Sequence, residues 1–297
     1  MTAAPPPVWQ LVLVLWGTKY PVAEVNHLID TVCRLASHAP RVVLITDALR
    51  DGLRDGVVQR LIPTFFMDPR MRGPGCQTKL CMFEAGVVPE DLPAVFIDID
   101  TVVLGDMAQF LALQNSRKTV AIFQSAILPF GALARALFRL TKGRRYARGN
   151  SSIVVYHPAE TAHIAARYRA LVGELGFNGI RPMIADERFI SWSHQPHMRA
   201  IPHDMAVKLP TEFMLPWPWL IHLRARLPWV RRRWARLIAL TLPGVEVKGE
   251  TLLTLPDEAE VVDRKGRRLI WSEAALGPVK EQLTAYYTAL QQSGKTP

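Results

Sequence analysis

The sequence predicts an α/β fold, a mostly parallel sheet flanked by helices, with a C-terminal appendage rich in proline, tryptophan and arginine. Three observations point there. Strand-length apolar runs alternate with helical periodicity up to about residue 200, the rhythm of β-α-β units. One run, over residues 95–99, leads into two carboxylates one residue apart, Asp98 and Asp100, where an open α/β sheet holds its ligands. After about Met205 the composition shifts, so a ligand-binding domain is expected over 1–204 and an extension that completes the site over 205–297.

Residues 9–16 form a continuous apolar run and read as the first strand. The turn Gly17-Thr18-Lys19-Tyr20-Pro21 follows, then a helical pattern over 22–36. Residues 42–45 read as a second strand ending in Thr46-Asp47, and a third is expected over 60–66. Residues 69–75 are loop by composition, 78–86 a short helix, and 95–99 and 119–123 two further strands. Over 131–142, Leu133, Leu137 and Leu140 fall on one helical face, with Arg135, Arg139 and Lys142 opposite. Gly149-Asn150-Ser151 reads as a turn introducing a strand over 152–156, and 159–175 is helical by pattern. A helix over 186–192 opens with Asp186 and Glu187, placed where its dipole favours acids.

A chain of 297 residues, 49% of them hydrophobic, can bury a large core. The net charge of +10 is local: residues 135–148 and 213–244 each hold six basic residues and no acid, and the remainder is close to neutral. In the second window Val230, Trp234, Leu237 and Ile238 set Arg232, Arg233 and Arg236 on the opposite side, with Trp217, Trp219 and Trp229 preceding them. Aromatic and aliphatic groups beside clustered arginines suit an anionic membrane surface. No nucleic-acid-binding motif accompanies the charge, so nucleic acid is not an expected partner. Cys33, Cys76 and Cys81 are odd in number and lack zinc spacing, and are expected as reduced thiols in a cytoplasmic protein. The N-terminus has no basic residue before its apolar run, so a secretory signal is not expected. The uncharged stretch over 119–134 is interrupted by Gln124, Ser125, Pro129 and Gly131 and is too short for a spanning helix.

In a strand alternate side chains share a face, so Asp98 and Asp100 can point together. Two adjacent carboxylates repel unless a cation neutralises them. A divalent ion carrying a diphosphate meets that need, because carboxylate and phosphate oxygens suit Mg²⁺ or Mn²⁺.

The order Trp16-Gly17-Thr18-Lys19-Tyr20, Thr46-Asp47, Gln77-Thr78-Lys79-Leu80, Phe96-Ile97-Asp98-Ile99-Asp100, Gly149-Asn150-Ser151-Ser152 and Asp186-Glu187-Arg188-Phe189-Ile190 resembles bacterial nucleotide-sugar glycosyltransferases of the GT-A fold. Over roughly residues 9–219 it is similar, at a distance, to glycosyltransferase family 8. The resemblance implies that Asp98 and Asp100 hold a divalent metal, Mn²⁺ or Mg²⁺, bridging the phosphates of a UDP-sugar. It implies donor contacts from Thr18, Lys19 and Tyr20, a base or ribose contact from Asp47, and a phosphate- or Asp98-neutralising role for Lys79. Asn150 and Ser151 are implied at the sugar or the strand edge, and the acids Asp186 and Glu187, taken as the catalytic pair, at the transferred sugar.

One departure stands out. Relatives carry His-Gly-x-x-Lys-Pro near the C-terminus, the histidine ligating metal and the lysine on the diphosphate. The nearest candidate here, Val247-Lys248-Gly249-Glu250, lacks the histidine and the Lys-Pro, which leaves the third ligand open, with His222 one candidate. The implied activity is transfer, with retention, from a nucleotide sugar to a lipid-linked or saccharide acceptor such as a glycolipid or envelope polysaccharide precursor. The location expected with it is the cytoplasm, peripheral on the inner face of the membrane. Two other readings stand beside it. One is a haloacid-dehalogenase-type phosphatase using Asp98 and Asp100, although a long α/β stretch precedes the motif and the expected Gly-Thr is absent. The other is a non-catalytic peripheral membrane-binding relative.

Overall fold

The structure is a computed structural model and describes residues 6–125, 127–243 and 247–293. In chain order the first elements are β1 (Gln10–Leu15), α1 (Val22–Leu35), β2 (Arg41–Thr46), β3 (Val58–Leu61), β4 (Ala94–Ile97), β5 (Thr101–Val103), β6 (Val120–Gln124), α2 (Ala132–Leu140) and β7 (Gly149–Tyr156). Then come α3 (Pro158–Thr161), α4 (His163–Leu175), α5 (Asp186–Ser193), β8 (Met198–Ala200), β9 (Ala206–Lys208), α6 (Leu209–Glu212), α7 (Pro218–Ala225) and α8 (Pro228–Trp234). The last are β10 (Ala239–Thr241), α9 (Gly249–Leu253), β11 (Ala259–Val262), β12 (Arg268–Trp271), α10 (Glu273–Leu276) and α11 (Pro278–Ser293).

The chain forms two compact units. The first takes in residues up to Tyr20, Ser37–Ile99 and Ala108–Ile201. It is built on a seven-stranded sheet in the order β3-β2-β1-β4-β7-β6-β8, in which β7 alone runs against its neighbours. β1 is buried along its whole length, as its uninterrupted apolar sequence requires of a central strand. Val12, Val43, Phe96 and Val154 from the sheet pack with Leu80, Phe83, Ile164, Tyr168 and Phe189 in one hydrophobic core.

The second unit takes in Pro21–Ala36, Asp100–Met107 and the chain from Pro202 onward. Its three-stranded sheet has the order β5-β10-β9, and β11 and β12 pair as an antiparallel hairpin. Val102, Phe213, Trp234, Leu240, Trp271 and Leu283 share its core. The buried Glu212 carboxylate accepts from Arg224 at 2.5 Å, from Trp234 Nε1 at 2.7 Å and from Arg233, so α6, α7 and α8 converge on one neutralised acid.

Several local expectations change. The expected third strand over 60–66 is the shorter β3, because Pro63 has no N–H for a ladder and starts a 3-10 turn at Thr64–Met67. The helix over 78–86 is a tight 3-10 segment, Gln77–Phe83. The helix over 159–175 is divided at Ala162 into α3 and α4. Gly149-Asn150-Ser151 is not a turn but the start of β7, opposite a register shift between Ile122 and Phe123 of β6. A Cβ at position 149 would overlap the Ile122 side chain and the Phe123 carbonyl, so glycine serves close strand approach there. The leucine face of α2 is not packed inward, since Leu133 and Leu140 are exposed. The helical pattern at 230–238 stops at Trp234, although Leu237 and Ile238 are buried beyond it.

Candidate active site

Strand direction assembles the site. From β1 the chain runs outward through β2 and β3, then returns to β4 on the other side of β1, so the strand order switches between β1 and β4. Ligands of open α/β sheets bind outside the carboxyl ends of strands at such a point. Those ends carry Thr18, Lys19 and Tyr20 after β1, Asp47 after β2 and Asp98 after β4. The opposing strand β7 begins at the same edge: Ile153 pairs with Ile97, which brings Asn150 and Ser151 level with the chain leaving β4. The Asp98 N–H donates to the Ser152 carbonyl at 2.9 Å, holding that exit in place.

Lys79 reaches the edge from the 3-10 segment and pairs with Asp98, Nζ to Oδ1, at 2.5 Å. Its segment is docked on the chain leading into α5. Asp186 N–H donates to the Gly75 carbonyl at 2.9 Å, and Gln77 Nε2 donates to the Met183 carbonyl at 3.1 Å. A Cβ at Gly75 would overlap the Ile184 carbonyl, so this approach requires glycine. Asp186 is buried and accepts from Ser151 Oγ at 2.6 Å; Glu187 Oε2 accepts from Asn150 Nδ2 at 2.6 Å. Asn150 is oriented in turn by Ser152 Oγ, which donates to its Oδ1 at 2.8 Å. Six of the expected residues, Lys79, Asp98, Asn150, Ser151, Asp186 and Glu187, therefore form one connected polar cluster. Ser152, which sequence reasoning passed over, is its internal strut.

Burial pushes the Asp186 carboxyl up to about 6, against the pull of the Lys79 charge and the Ser151 hydrogen bond; the Glu187 charge adds to the rise. Lys79 is held above its ordinary value: burial works against the ammonium, but Asp98 and Asp186 outweigh it.

The β1 and β2 exits are tied together differently. Asp47 Oδ2 accepts from Gly17 N–H at 2.8 Å, while Arg50 pairs with Asp47 Oδ1 and donates to the Gly17 carbonyl at 2.9 Å. Burial opposes the Asp47 charge, but the Gly17 and Arg50 hydrogen bonds overcome it and lower its carboxyl below the usual value. Both oxygens of Asp47 thus serve the loop itself. Thr18 and Lys19 are exposed beside it, with Lys19 Nζ donating to Tyr20 Oη at 2.9 Å.

Asp100 belongs to the second unit, where Lys248 Nζ pairs with its Oδ2 at 2.5 Å and donates to the Leu242 carbonyl at 3.0 Å. Leu242 N–H donates to the Asp100 carbonyl at 3.2 Å. Lys248 was visible in sequence as the residue before Gly249, where the family pattern has histidine; its pairing with Asp100 was not foreseen. Among the described residues no three His, Cys, Asp or Glu side chains gather as a metal cage, so His222 does not complete one with the aspartates. Each carboxylate of the pair has an ammonium in contact. This donor set does not fit a divalent ion bound to the free protein.

No family model matches the sequence, and no curated protein matches it. Solved structures do match. The galactosyltransferase LgtC, in complex with donor and acceptor sugar analogs, superposes with a TM-score of 0.59 at 11% identity, covering 97% of each chain. An active-site Gln-to-Glu mutant of LgtC gives 0.56 at 10% identity, over 94% of this chain and 95% of that one. The bifunctional glycosyltransferase WbbM gives 0.56 at 11% identity, over 99% of this chain and 53% of that longer one. The chain has the GT-A fold of these glycosyltransferases.

The shift at Asp186 has a consequence for stability. The unfolded chain releases this proton near pH 3.8 and the folded one near 6, so the folded state holds the extra proton between. Stability from this group is complete below about pH 4 and is lost as pH rises through 6, by on the order of 2–3 kcal/mol. Denaturant titrations at pH 4, 5, 6 and 7 should show this decline in wild type and a flatter profile in Asp186→Asn. Parallel profiles would contradict it.

Proposed function

We propose that this protein is a glycosyltransferase that moves a sugar from a nucleotide diphosphate donor, a UDP-sugar, to the hydroxyl of a lipid-linked or saccharide acceptor. The observation that carries the reading is the polar cluster Lys79–Asp98 with Asn150–Glu187 and Ser151–Asp186, set at the switch point of a GT-A sheet. LgtC, the matched structure, was solved with donor and acceptor sugar analogs together, which supports a saccharide acceptor here.

The reaction breaks the bond between sugar C1 and a diphosphate oxygen, whose electron pair leaves with the diphosphate. The acceptor hydroxyl oxygen bonds to C1, and its proton passes to an oxygen of the departing diphosphate. Positive charge grows at the sugar and negative charge at the leaving diphosphate, so the site needs an anion facing one and a cation facing the other. Glu187, held by Asn150, and Asp186, held by Ser151, supply the anionic side. Lys79 supplies cationic charge at the β4 exit. Thr18, Lys19 and Tyr20 would contact the nucleotide from the β1 exit, with Asp47 holding that loop in shape. The divalent ion that the resemblance implies would need Asp98 and Asp100 to give up their lysine partners.

An acceptor anchored in lipid fits a second surface. Trp217, Trp219, Trp229 and Leu223 are exposed by 56, 62, 62 and 50%, and Trp217 stacks on Trp219 at 6.5 Å. Arg226, Arg231, Arg232 and Arg236 are exposed in the same stretch. Arg224 and Arg233 are spent on Glu212, so fewer arginines face solvent than the sequence count implies. Among the described residues no helix is long and apolar enough to cross a membrane. Peripheral attachment on the cytoplasmic face is the corresponding proposal.

A screen of UDP-, GDP-, dTDP- and CDP-sugars for turnover tests the activity. Glu187→Gln should lower turnover of the active donor by about 100-fold or more while leaving UDP affinity within about 3-fold, the split expected of a group acting on the sugar. Full activity in that variant would remove Glu187 from the site. Sedimentation with liposomes should require anionic lipid, weaken in high salt, and fall in Arg226→Gln/Arg232→Gln/Arg236→Gln. Equal sedimentation with neutral vesicles would leave the patch an ordinary solvated surface.

A further inference from the structure

We infer that Lys248 takes the place of a divalent metal at Asp100, so that this protein binds its nucleotide diphosphate without a metal ion; the inference rests on the donor class proposed above. The juxtaposition is direct: Lys248 Nζ lies 2.5 Å from Asp100 Oδ2 and 3.0 Å from the Leu242 carbonyl. The Asp100 backbone is itself anchored to Leu242, the residue after β10, so the carboxylate and the carbonyl that the ammonium contacts are held next to each other.

Charge balance supports the exchange. Two carboxylates at the end of a buried strand carry two negative charges, and a divalent ion between them brings two positive ones. Among the described residues, Lys79 pairs with Asp98 and Lys248 with Asp100. In the free protein a metal added to Asp100 beside Lys248 would meet a carboxylate already neutralised, and displacing Lys248 would take from its ammonium the acid it pairs with here. An ammonium has no lone pair to offer a metal, so a lysine cannot serve as the third ligand that a histidine would be.

The ammonium can also do the bridging. An ammonium has three N–H donors; among the described residues Lys248 directs one to Asp100 and one to Leu242, and a phosphate oxygen would take the third. It then neutralises the carboxylate and binds the anion at once, the two tasks a divalent ion performs between a carboxylate and a diphosphate.

Titration calorimetry with UDP on the full chain, run once in EDTA and once in Mn²⁺, tests this without any variant. The expected result is the same affinity in both, within about 2-fold. Lys248→Met should weaken UDP binding in EDTA by about 10-fold or more. Lys248→His should lose affinity equally in EDTA and recover it with Mn²⁺, because a neutral imidazole can ligate the ion that the ammonium replaces. Wild-type affinity that rises 10-fold or more with Mn²⁺ would overturn the inference and leave the glycosyltransferase reading standing. Failure of UDP, GDP, dTDP and CDP to bind in either condition would instead remove the donor reading, and this inference with it.

Discussion

A carboxylate at the rim of a low-dielectric sheet needs an opposite charge, and much of this structure answers that need. The chain leaving β4 carries Asp98 and Asp100 on either side of Ile99, and each has a lysine within 2.5 Å. Lys79 can reach Asp98 because its 3-10 segment is docked on the entry to α5 through Gly75 and Gln77. That docking also buries Asp186 beside Ser151, where the Lys79 charge opposes the cost of desolvation. The counter-charge requirement thus links the loop before β4, the start of β7 and the start of α5. The second unit solves the same problem for Glu212 with two arginines and an indole N–H.

The order of strands turns these pairings into a site. A return from β3 to β4 across β1 leaves the carboxyl edge of the two central strands open, and antiparallel β7 feeds its first residues to that edge. Asn150 and Ser151 are there because of register: Ile153 opposite Ile97 leaves them beyond the last strand residue of β4. Gly149 permits β6 to come close, at the point where the β6–β7 ladder shifts.

The central strands were legible because buried parallel strands are continuous apolar runs, as at residues 9–16 and 42–45, and those boundaries agree within a residue with β1 and β2. The carboxylates after β4 were legible for the same reason, as charges interrupting such a run. The start of β7 was misread because Gly-Asn is good turn chemistry locally, and the bulged partner strand that accommodates it is distant in sequence. The second unit was largely hidden: β9, β10 and β5 are three residues each, too short to show a period, and the pairing of β10 with β5 joins segments more than a hundred residues apart. The closure of Arg224 and Arg233 on Glu212 was not legible, because Glu212 stands one residue before the acid-free window. The Lys248–Asp100 pair spans 148 residues, so no local pattern could announce it.

The cations that stand at the two aspartates when the diphosphate is bound decide between lysine and metal. Crystals grown with UDP and Mn²⁺, with data collected on either side of the manganese absorption edge, measure this directly. The account predicts diphosphate density in contact with Lys248 Nζ and no anomalous peak at Asp98 or Asp100. A manganese peak ligated by both aspartates, with Lys248 turned away from Asp100, would contradict it.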